Sequence, residues 1–284
     1  MKTVAAHNLA CPLDAAPLLK QGRQYCCPQG HSFDLARQGQ LNLLPVQFKK
    51  SKDPGDSKSM IAARGAFLQR GFYQPLSLAL NEFIKPHLAE QGLITVLDAG
   101  CGEGYYLRGW LHSLPLDDHE PKVAAIGLDI SKWAVLAAAK KNQQATWLVG
   151  SNRHLPLQDN SVDLILSCFG FADYSQFKRV LKPNGKIILM DAGEDHLLEL
   201  RRIIYEEVRQ SPLASVAQAI SLGFQVQQNQ RVQFELESLP AEPLQQLLSM
   251  TPHLYRASKQ GKQAVADLTQ LSLTVDVALR VLTL

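Results

Sequence analysis

The residues of this chain best suited to hold a ligand are three glycines at alternate positions. Gly100, Gly102 and Gly104 follow a continuous apolar run at residues 94–98, and a helical pattern begins at Tyr105. Glycine allows the backbone to turn with positive φ and to approach a ligand closely. A strand, a glycine loop and a helix in that order place a ligand at the carboxyl end of a parallel sheet.

The spacing of the glycines and the acidic residues around them indicate which ligand the loop holds. The G-x-G-x-G spacing differs by one residue from the G-x-G-x-x-G dinucleotide fingerprint and favours S-adenosylmethionine. Asp98 precedes the loop and suits the ammonium group of that ligand, directly or through the loop backbone. Asp129 ends the next strand, where a carboxylate can accept hydrogen bonds from both ribose hydroxyls, and Asn152 follows the third strand near the expected adenine edge. Taken alone, an aspartate such as Asp129 is more often a cap or turn residue.

Strand and helix patterns alternate around these residues. Apolar runs predict strands at 94–98, 123–129, 146–150, 162–167 and 186–190, and later strands at 230–237 and 273–284. Helical spacing predicts helices at 59–72, 76–88, 105–114, 132–141, 174–181 and 196–210, the first capped by Asp56 or Ser57. Apolar strands separated by helices indicate a mostly parallel sheet covered on both faces. The arrangement resembles the class I (Rossmann-like) methyltransferase fold of the α/β class.

Composition limits the architecture and the kind of partner. The chain has 284 residues, of which 46% are hydrophobic, as expected for one large domain with a small one. No apolar run reaches the roughly 20 residues that a membrane span needs, and the N-terminus lacks a secretory signal, so we expect a cytoplasmic protein without a membrane partner. Residues 1–72 contain ten Lys or Arg and four Asp. This basic segment predicts a polyanionic partner, unless it is only a solvated surface.

Cysteines near the N-terminus are candidates for a metal site. A complete small zinc site has the pattern C-x-x-C followed by C-x-x-x-H, and here the first pair is C-x-x-D. Because carboxylates also bind zinc, we predict a zinc ion with four ligands: Cys11, Asp14, Cys27 and His31. Cys26 or His7 remains an alternative fourth ligand. A metal-free remnant held by hydrophobic contacts also remains open.

With these residues identified, the whole chain resembles the large-subunit ribosomal RNA (guanine-N1) methyltransferases. Four stretches carry the resemblance: C-P-Q-x-H-x-F-D at 27–34, N-L-L-P-V-Q at 42–47 with D-P-G-D-S at 53–57, G-x-Y-Q-P-L at 71–76, and L-D-x-G-C-G-E-G-Y-Y at 97–106. L-D-x-S-K at 128–132 and H-L-x-E-L at 196–200 extend it to about residue 205. The resemblance implies an N-terminal zinc domain for RNA recognition and a class I methyltransferase domain.

The family's cofactor contacts fall, by motif, on Tyr73, Gly102, Glu103 and His196. Together with the glycine loop they give the predicted cofactor-binding set: Tyr73, Asp98, Gly100, Gly102, Glu103, Gly104, Asp129, Asn152 and His196. Tyr73 suits a lid over the ligand, and packing at a domain junction is its alternative role. Helix capping is the alternative role of His196.

The chain departs from the family pattern at two places. Asp14 replaces the second zinc cysteine, and residues 167–173 read S-C-F-G-F-A-D where the family has a Tyr-Ala-Pro-like segment near the target nucleobase. In this segment Asp173 is our candidate for the general base that removes the guanine N1 proton, and Phe169 or Phe171 can stack on the nucleobase. The side chains expected to hold phosphates are Lys49, Lys50, Lys52, Lys58, Arg64 and Arg70.

These observations predict a zinc-ribbon-like RNA-recognition domain at 1–48, a basic linker and helix at 49–72, and a methyltransferase domain at 73–284. The predicted reaction transfers a methyl group from S-adenosylmethionine to N1 of a guanine in a hairpin loop of 23S ribosomal RNA. Two alternatives stay open: a degenerate relative that binds RNA or the ribosome without catalysis, and a small-molecule methyltransferase. A homodimer also stays open.

Overall fold

The chain folds as an α/β protein around one large central sheet. The computed structural model describes residues 2–88, 92–115, 122–208, 212–251, 253 and 257–284. The strands are β1 (Leu19–Gln21), β2 (Gln24–Cys26), β3 (Ser32–Asp34), β4 (Leu41–Asn42), β5 (Leu93–Ala99), β6 (Lys122–Asp129), β7 (Thr146–Val149), β8 (Val162–Cys168), β9 (Leu181–Ala192), β10 (Gln225–Pro240) and β11 (Gln270–Thr283). The α-helices are α1 (Lys58–Gln69), α2 (Gln74–Ile84), α3 (Tyr105–Ser113), α4 (Lys132–Lys141), α5 (Tyr174–Val180), α6 (Leu198–Ile204), α7 (Ala217–Ser221), α8 (Ala241–Ser249) and α9 (Lys259–Ala266). Short 3-10 helices lie at Val46–Phe48 and Lys85–His87.

The strand order of the large sheet creates a ligand-binding edge. The order is β10-β11-β9-β8-β5-β6-β7-β4. Strands β4 to β9 run parallel, whereas β11 pairs antiparallel with β9 and β10. The predicted mostly parallel sheet is therefore confirmed. Because β5 lies between β6 and β8, the direction of winding reverses there, and a crevice is expected at the carboxyl ends of β5 and β8.

The inner strands bury residues on both faces, as parallel strands do. In β5, Val96 packs into one hydrophobic layer and Leu97 into the other. The first layer contains residues of α1, α2, α3, α4, α6, α8 and α9. The second contains residues of α5, α7 and the N-terminal segment. The sheet is thus covered on both sides, which leaves its carboxyl edge as the place for a site.

The N-terminal segment shares the core of the large sheet. Strands β1, β2 and β3 form a separate antiparallel sheet, but β4 continues the large sheet through Leu41, which pairs in parallel with Leu148. Leu9 and Leu41 are fully buried in the second layer. Phe67 of α1, from the segment predicted as a linker, is fully buried in the first. Residues of all three predicted segments thus contribute to the core around the large sheet. The division at residues 48 and 72 stays a prediction.

Local sequence explains where α1 begins. Ser57 caps α1 as predicted, since its Oγ accepts a hydrogen bond from the Met60 N–H at 3.3 Å. Helix α6 is shorter than the predicted helix over 196–210, of which residues 209–210 lie outside the described residues. Helices α7, α8 and α9 were not predicted. None of the described helices has the length and apolar character needed to cross a bilayer.

Candidate cofactor and acceptor site

The glycine loop joins β5 to α3 in a conformation that requires glycine. Gly100, Gly102 and Gly104 have φ values of +93°, +55° and +78°. A Cβ on Gly104 would lie 2.5 Å from the ring of Trp147, so this position needs glycine for space as well as for its backbone angle. Trp147 is itself held by a 2.7 Å hydrogen bond from Nε1 to the Asn142 carbonyl. The loop is therefore shaped from behind by a fixed indole.

Asp98 is a buried carboxylate without a full set of partners. It is 1% exposed, and its Oδ1 has no hydrogen-bond partner among the described residues. Burial, and secondarily the charge of Asp129, raise the pKa of Asp98 to about 7. An unpaired buried carboxylate is unfavourable. A cationic ligand group beside it would remove that penalty, which fits the ammonium group of S-adenosylmethionine.

Asp129 ties the second parallel strand to the glycine loop. Its Oδ2 accepts from the Gly102 N–H at 2.9 Å, and its Oδ1 accepts from the Ser131 N–H at 2.8 Å. Burial raises the pKa of Asp129, while these two hydrogen bonds act in the opposite direction. Each carboxylate oxygen can still accept a further hydrogen bond. The geometry thus leaves Asp129 able to receive the hydroxyls of a ribose.

Two adjoining cavities open beside the loop. The first, of about 440 Å³, is lined by five residues of the predicted set: Tyr73, Asp98, Gly100, Glu103 and His196. The second, of about 390 Å³, is lined by Gly100, Asp129 and Asn152 of that set. Gly102 and Gly104 line neither cavity. Five residues border both cavities: Arg64, Gly100, Cys168, Phe169 and Gly170.

The first cavity is rich in aromatic rings. The ring of Phe169 lies 6.3 Å from that of Tyr106 and 5.8 Å from that of His196, measured between centroids. Phe169 is 41% exposed and has a φ of +53°, a conformation that costs energy for a residue other than glycine. Strain of this kind is concentrated at functional sites. The three rings pack against one another and line the first cavity. We call this aromatic wall and the space in front of it the aromatic slot, because a flat, unstacked base can stack on such a wall.

Tyr73 and His196 combine contacts in this cavity with structural roles. Tyr73 is buried, packs edge-on against Phe67 at 5.2 Å, and burial raises its pKa. The Nδ1 of His196 accepts a hydrogen bond from the Asp276 N–H at 3.3 Å. Burial lowers the pKa of His196 to about 4, so the ring is neutral near pH 7. Leu197, rather than His196, occupies the N-cap position of α6.

Glu103 and Asn152 also have defined partners. The Glu103 carboxylate is buried and forms an ion pair with Lys141, and its Oε1 lies 3.7 Å from Nη2 of Arg108. Asn152 donates from Nδ2 to the Phe171 carbonyl at 2.7 Å. Its Oδ1 is buried and lacks a partner among the described residues, so it is available to a donor on a ligand in the second cavity.

Asp191, rather than Asp173, is the aspartate near the altered segment that lines the first cavity. Asp173, the residue expected from the sequence, lines neither cavity, and its carboxylate caps α5 by accepting from the Gln176 N–H at 3.2 Å. Asp191 lines the first cavity and accepts from Nη2 of Arg280 at 2.6 Å. Burial raises the pKa of Asp191 against the effect of Arg280. The sequence contained this signal, because Asp191 follows apolar residues of β9 as Asp98 follows those of β5.

The basic residues expected to hold phosphates divide between the site and the surface. Arg64 borders both cavities and Lys50 borders the second. Arg70 is exposed and pairs with Glu242 at 2.7 Å. Lys58 lies 5.8 Å from the ring of Trp133. Lys49 and Lys52 lie in the chain leading to α1 and border neither cavity.

The four predicted metal ligands converge in the N-terminal segment. The ligand atoms of Cys11, Asp14, Cys27 and His31 all lie within 4.8 Å of one another, and the His31 Nδ1 is 2.9 Å from the Asp14 Oδ2. A hydrogen bond from the Ala16 N–H lowers the pKa of Asp14 to about 2, so the residue is a carboxylate at neutral pH. Two sulfurs, an imidazole and a carboxylate fit tetrahedral zinc. The alternatives Cys26 and His7 lie outside the cluster.

Known proteins resemble the chain over nearly its whole length. Residues 9–52 match the family described as RlmA, N-terminal, a zinc ribbon, and residues 96–185 match the family described as Methyltransferase domain. The Bacillus subtilis protein YxjB, whose name assigns it to the 23S rRNA (guanine-N(1)-)-methyltransferases, is 30% identical over 97% of each chain. The 23S rRNA (guanine(748)-N(1))-methyltransferase of Streptomyces fradiae is 34% identical over 70% of this chain and 69% of the relative.

Proposed function

Because the chain belongs to the family of 23S rRNA (guanine-N1) methyltransferases, we propose that it methylates N1 of a guanine in a hairpin loop of 23S ribosomal RNA. The observation that carries the proposal is the aromatic slot directly beside the glycine loop, which has room for a nucleobase. The reaction would take place in the cytoplasm. Light scattering on the purified protein measures its molar mass and so tests whether it forms a homodimer.

The residues assigned to each part of the cofactor are those whose side-chain oxygens can still accept a hydrogen bond. S-adenosylmethionine supplies an activated methyl group, and the protein contributes alignment and desolvation. We assign its ammonium group to Asp98, its ribose to Asp129 and its adenine edge to Asn152, because these residues have acceptor capacity in the cavities. Tyr73 and His196 close the methionine end, and Glu103, paired with Lys141, holds the loop.

A guanine in the slot must lose its N1 proton as the methyl group arrives. Asp191 is the carboxylate suited to accept that proton, since it lines the first cavity and its raised pKa makes it a better base than an exposed aspartate. The pair with Arg280 fixes its orientation. Phe169, at the mouth of the slot, suits stacking on the unpaired guanine.

Substituting Asp191 tests the assignment of the base. General-base catalysis contributes about 10²- to 10⁴-fold, so Asp191→Asn should lower kcat on RNA by that order and leave the affinity for S-adenosylhomocysteine within about twofold. The matched control is Asp173→Asn, which removes a helix cap outside the cavities. Equal kcat values for Asp191→Asn and the wild type would refute the assignment.

The substrate is tested with ribosomal RNA from a strain that lacks the gene. The purified enzyme and labelled S-adenosylmethionine should produce 1-methylguanosine, identified by mass spectrometry of the nucleosides. A hairpin fragment that includes guanine 748, the position in the name of the Streptomyces relative, should be methylated. The same fragment with adenine in place of that guanine should not be methylated. RNA binding without methyl transfer would indicate a degenerate relative, and cofactor turnover without RNA a small-molecule methyltransferase.

A further inference from the structure

One cation lies inside the cofactor site without a role in the reaction described so far. Arg64 extends from α1 over the glycine loop, where a Cβ on Gly102 would lie 3.1 Å from its Nη1. It borders both cavities, although its position in the sequence suggests a linker. Its side chain is 26% exposed, so most of the guanidinium is shielded from solvent.

The hydrogen bonds of Arg64 leave part of the guanidinium free for a ligand. Nη2 donates to the Asp56 Oδ2 at 2.7 Å and to the Met250 carbonyl at 3.5 Å. Nε is buried and has no hydrogen-bond partner among the described residues. A guanidinium has five N–H donors in a fixed planar fork, so donors on Nε and Nη1 remain. A buried donor without a partner is costly and indicates a missing acceptor.

The segment before α1 holds Arg64 in this position. The Ser131 Oγ donates to the Asp56 carbonyl at 2.7 Å, and Asp53 forms an ion pair with Lys132. A Cβ on Gly55 would lie 2.8 Å from a side-chain carbon of Ile130. Residues 53–57 thus pack directly against the turn between β6 and α4. Asp56, fixed by this packing, orients the guanidinium.

The charges of the first cavity define what Arg64 can bind. Asp98, Glu103 and Asp191 are acidic, and among the described residues that line this cavity Arg64 is the only Lys or Arg. The amino-acid end of S-adenosylmethionine carries an ammonium and a carboxylate group. Asp98 suits the ammonium, and a cationic donor gives the carboxylate its stronger hydrogen bonds. Arginine binds carboxylates strongly because its planar donors match two oxygens.

We propose that Arg64 binds the carboxylate of the methionine moiety of S-adenosylmethionine. Asp98 then binds the ammonium group and Arg64 the carboxylate group of the amino-acid end, and both residues line the first cavity. The segment at 53–57 and α1 become part of the cofactor site. Arg64 is accordingly excluded from the set of phosphate-binding cations expected from the sequence.

The test compares ligands that differ only in the carboxylate. Calorimetry measures the binding of S-adenosylmethionine and of decarboxylated S-adenosylmethionine, which keeps the sulfonium and the ammonium, to the full-length protein. A hydrogen bond to a charged group contributes about 1.5–3 kcal/mol, so Arg64→Gln should weaken binding of the carboxylated ligand by about 10- to 100-fold. Binding of the decarboxylated ligand should change by less than about twofold, and Arg64→Lys should restore part of the loss.

Arg70→Gln is the matched control, because Arg70 lies at the end of the same helix and pairs with Glu242 on the surface. It should bind both ligands as the wild type does. An equal loss for both ligands in Arg64→Gln would show that Arg64 only supports the loop, and unchanged binding of both would show that it does not contact the cofactor. Either result overturns the proposal. No RNA is present, so the outcome is independent of the proposed substrate.

Discussion

Asp98 links cofactor binding to pH through a titration that can be measured directly. Its pKa is about 7 in the ligand-free protein, whereas the ammonium group assigned to it requires the ionised form. Binding of S-adenosylhomocysteine should therefore release a proton and weaken as the pH falls. At pH 6 about nine-tenths of Asp98 is protonated, so the affinity should be about tenfold lower than at pH 8.

The variant Asp98→Asn should remove this pH dependence and weaken binding at pH 8 by about 10- to 100-fold, the range expected for a hydrogen bond to a charged group. The same variant should stabilise the ligand-free protein. The pKa of Asp98 is raised from 3.8 when the protein folds, so the wild type loses stability as the pH rises from about 4 to about 7. Above about pH 7 the wild type has lost about 4 kcal/mol of its free energy of unfolding through Asp98. The variant Asp98→Asn does not lose it, because asparagine carries no charge.

Calorimetry at pH 6, 7 and 8, in buffers of different ionisation enthalpy, measures both the affinity and the number of protons released. Thermal unfolding without ligand measures the stability change. Asp163→Asn is the control, because that carboxylate bonds to the Thr95 N–H and Lys182 outside both cavities. The reasoning fails if Asp98→Asn keeps the wild-type pH dependence, or if the affinity of the wild type rises as the pH falls.

Three further predictions concern the loop, the metal and the acceptor slot. Gly104→Ala should lower the free energy of unfolding by about 2–4 kcal/mol through the clash with Trp147 and the positive φ. The control Gly39→Ala, at a position with a φ of +93° in open space, should lower it by only about 1 kcal/mol. Equal losses for the two variants in chemical denaturation would contradict the clash. Elemental analysis should find one zinc per chain. The variant Asp14→Cys should release its zinc to a chelator more slowly than the wild type does, because a thiolate replaces the carboxylate. Faster release from the variant would argue against Asp14 as a ligand. Phe169→Gly should lower kcat/KM on RNA by about 5- to 100-fold by removing a stacking ring. Unchanged RNA kinetics would exclude the stacking role.

Local chemistry made the cofactor half of the site predictable from the sequence. Glycines at alternate positions after a buried strand have few explanations other than a loop that approaches a ligand, and an acidic residue at the end of a parallel strand lies at the binding edge whatever the rest of the chain does. The same rule applies to Asp191, which follows the apolar residues of β9. The metal ligands were also predictable, since Cys, Asp and His with turn spacing have strong chemical preferences.

The acceptor half depended on contacts between distant parts of the chain. The sequence could not show that Asp173 would cap a helix while Asp191 entered the cavity with Arg280 beside it. It also placed Arg64 in a basic linker. Arg64 reaches the cavities because residues 53–57 pack against Ile130, about 75 residues away in the chain, and the sequence does not show this contact. Sequence by itself therefore determined the fold class, the glycine loop and the cluster of candidate metal ligands, which depend on local spacing. Only the tertiary structure decided which charged groups face the ligand, because that depends on which buried carboxylates and cations remain unpaired after the core has packed.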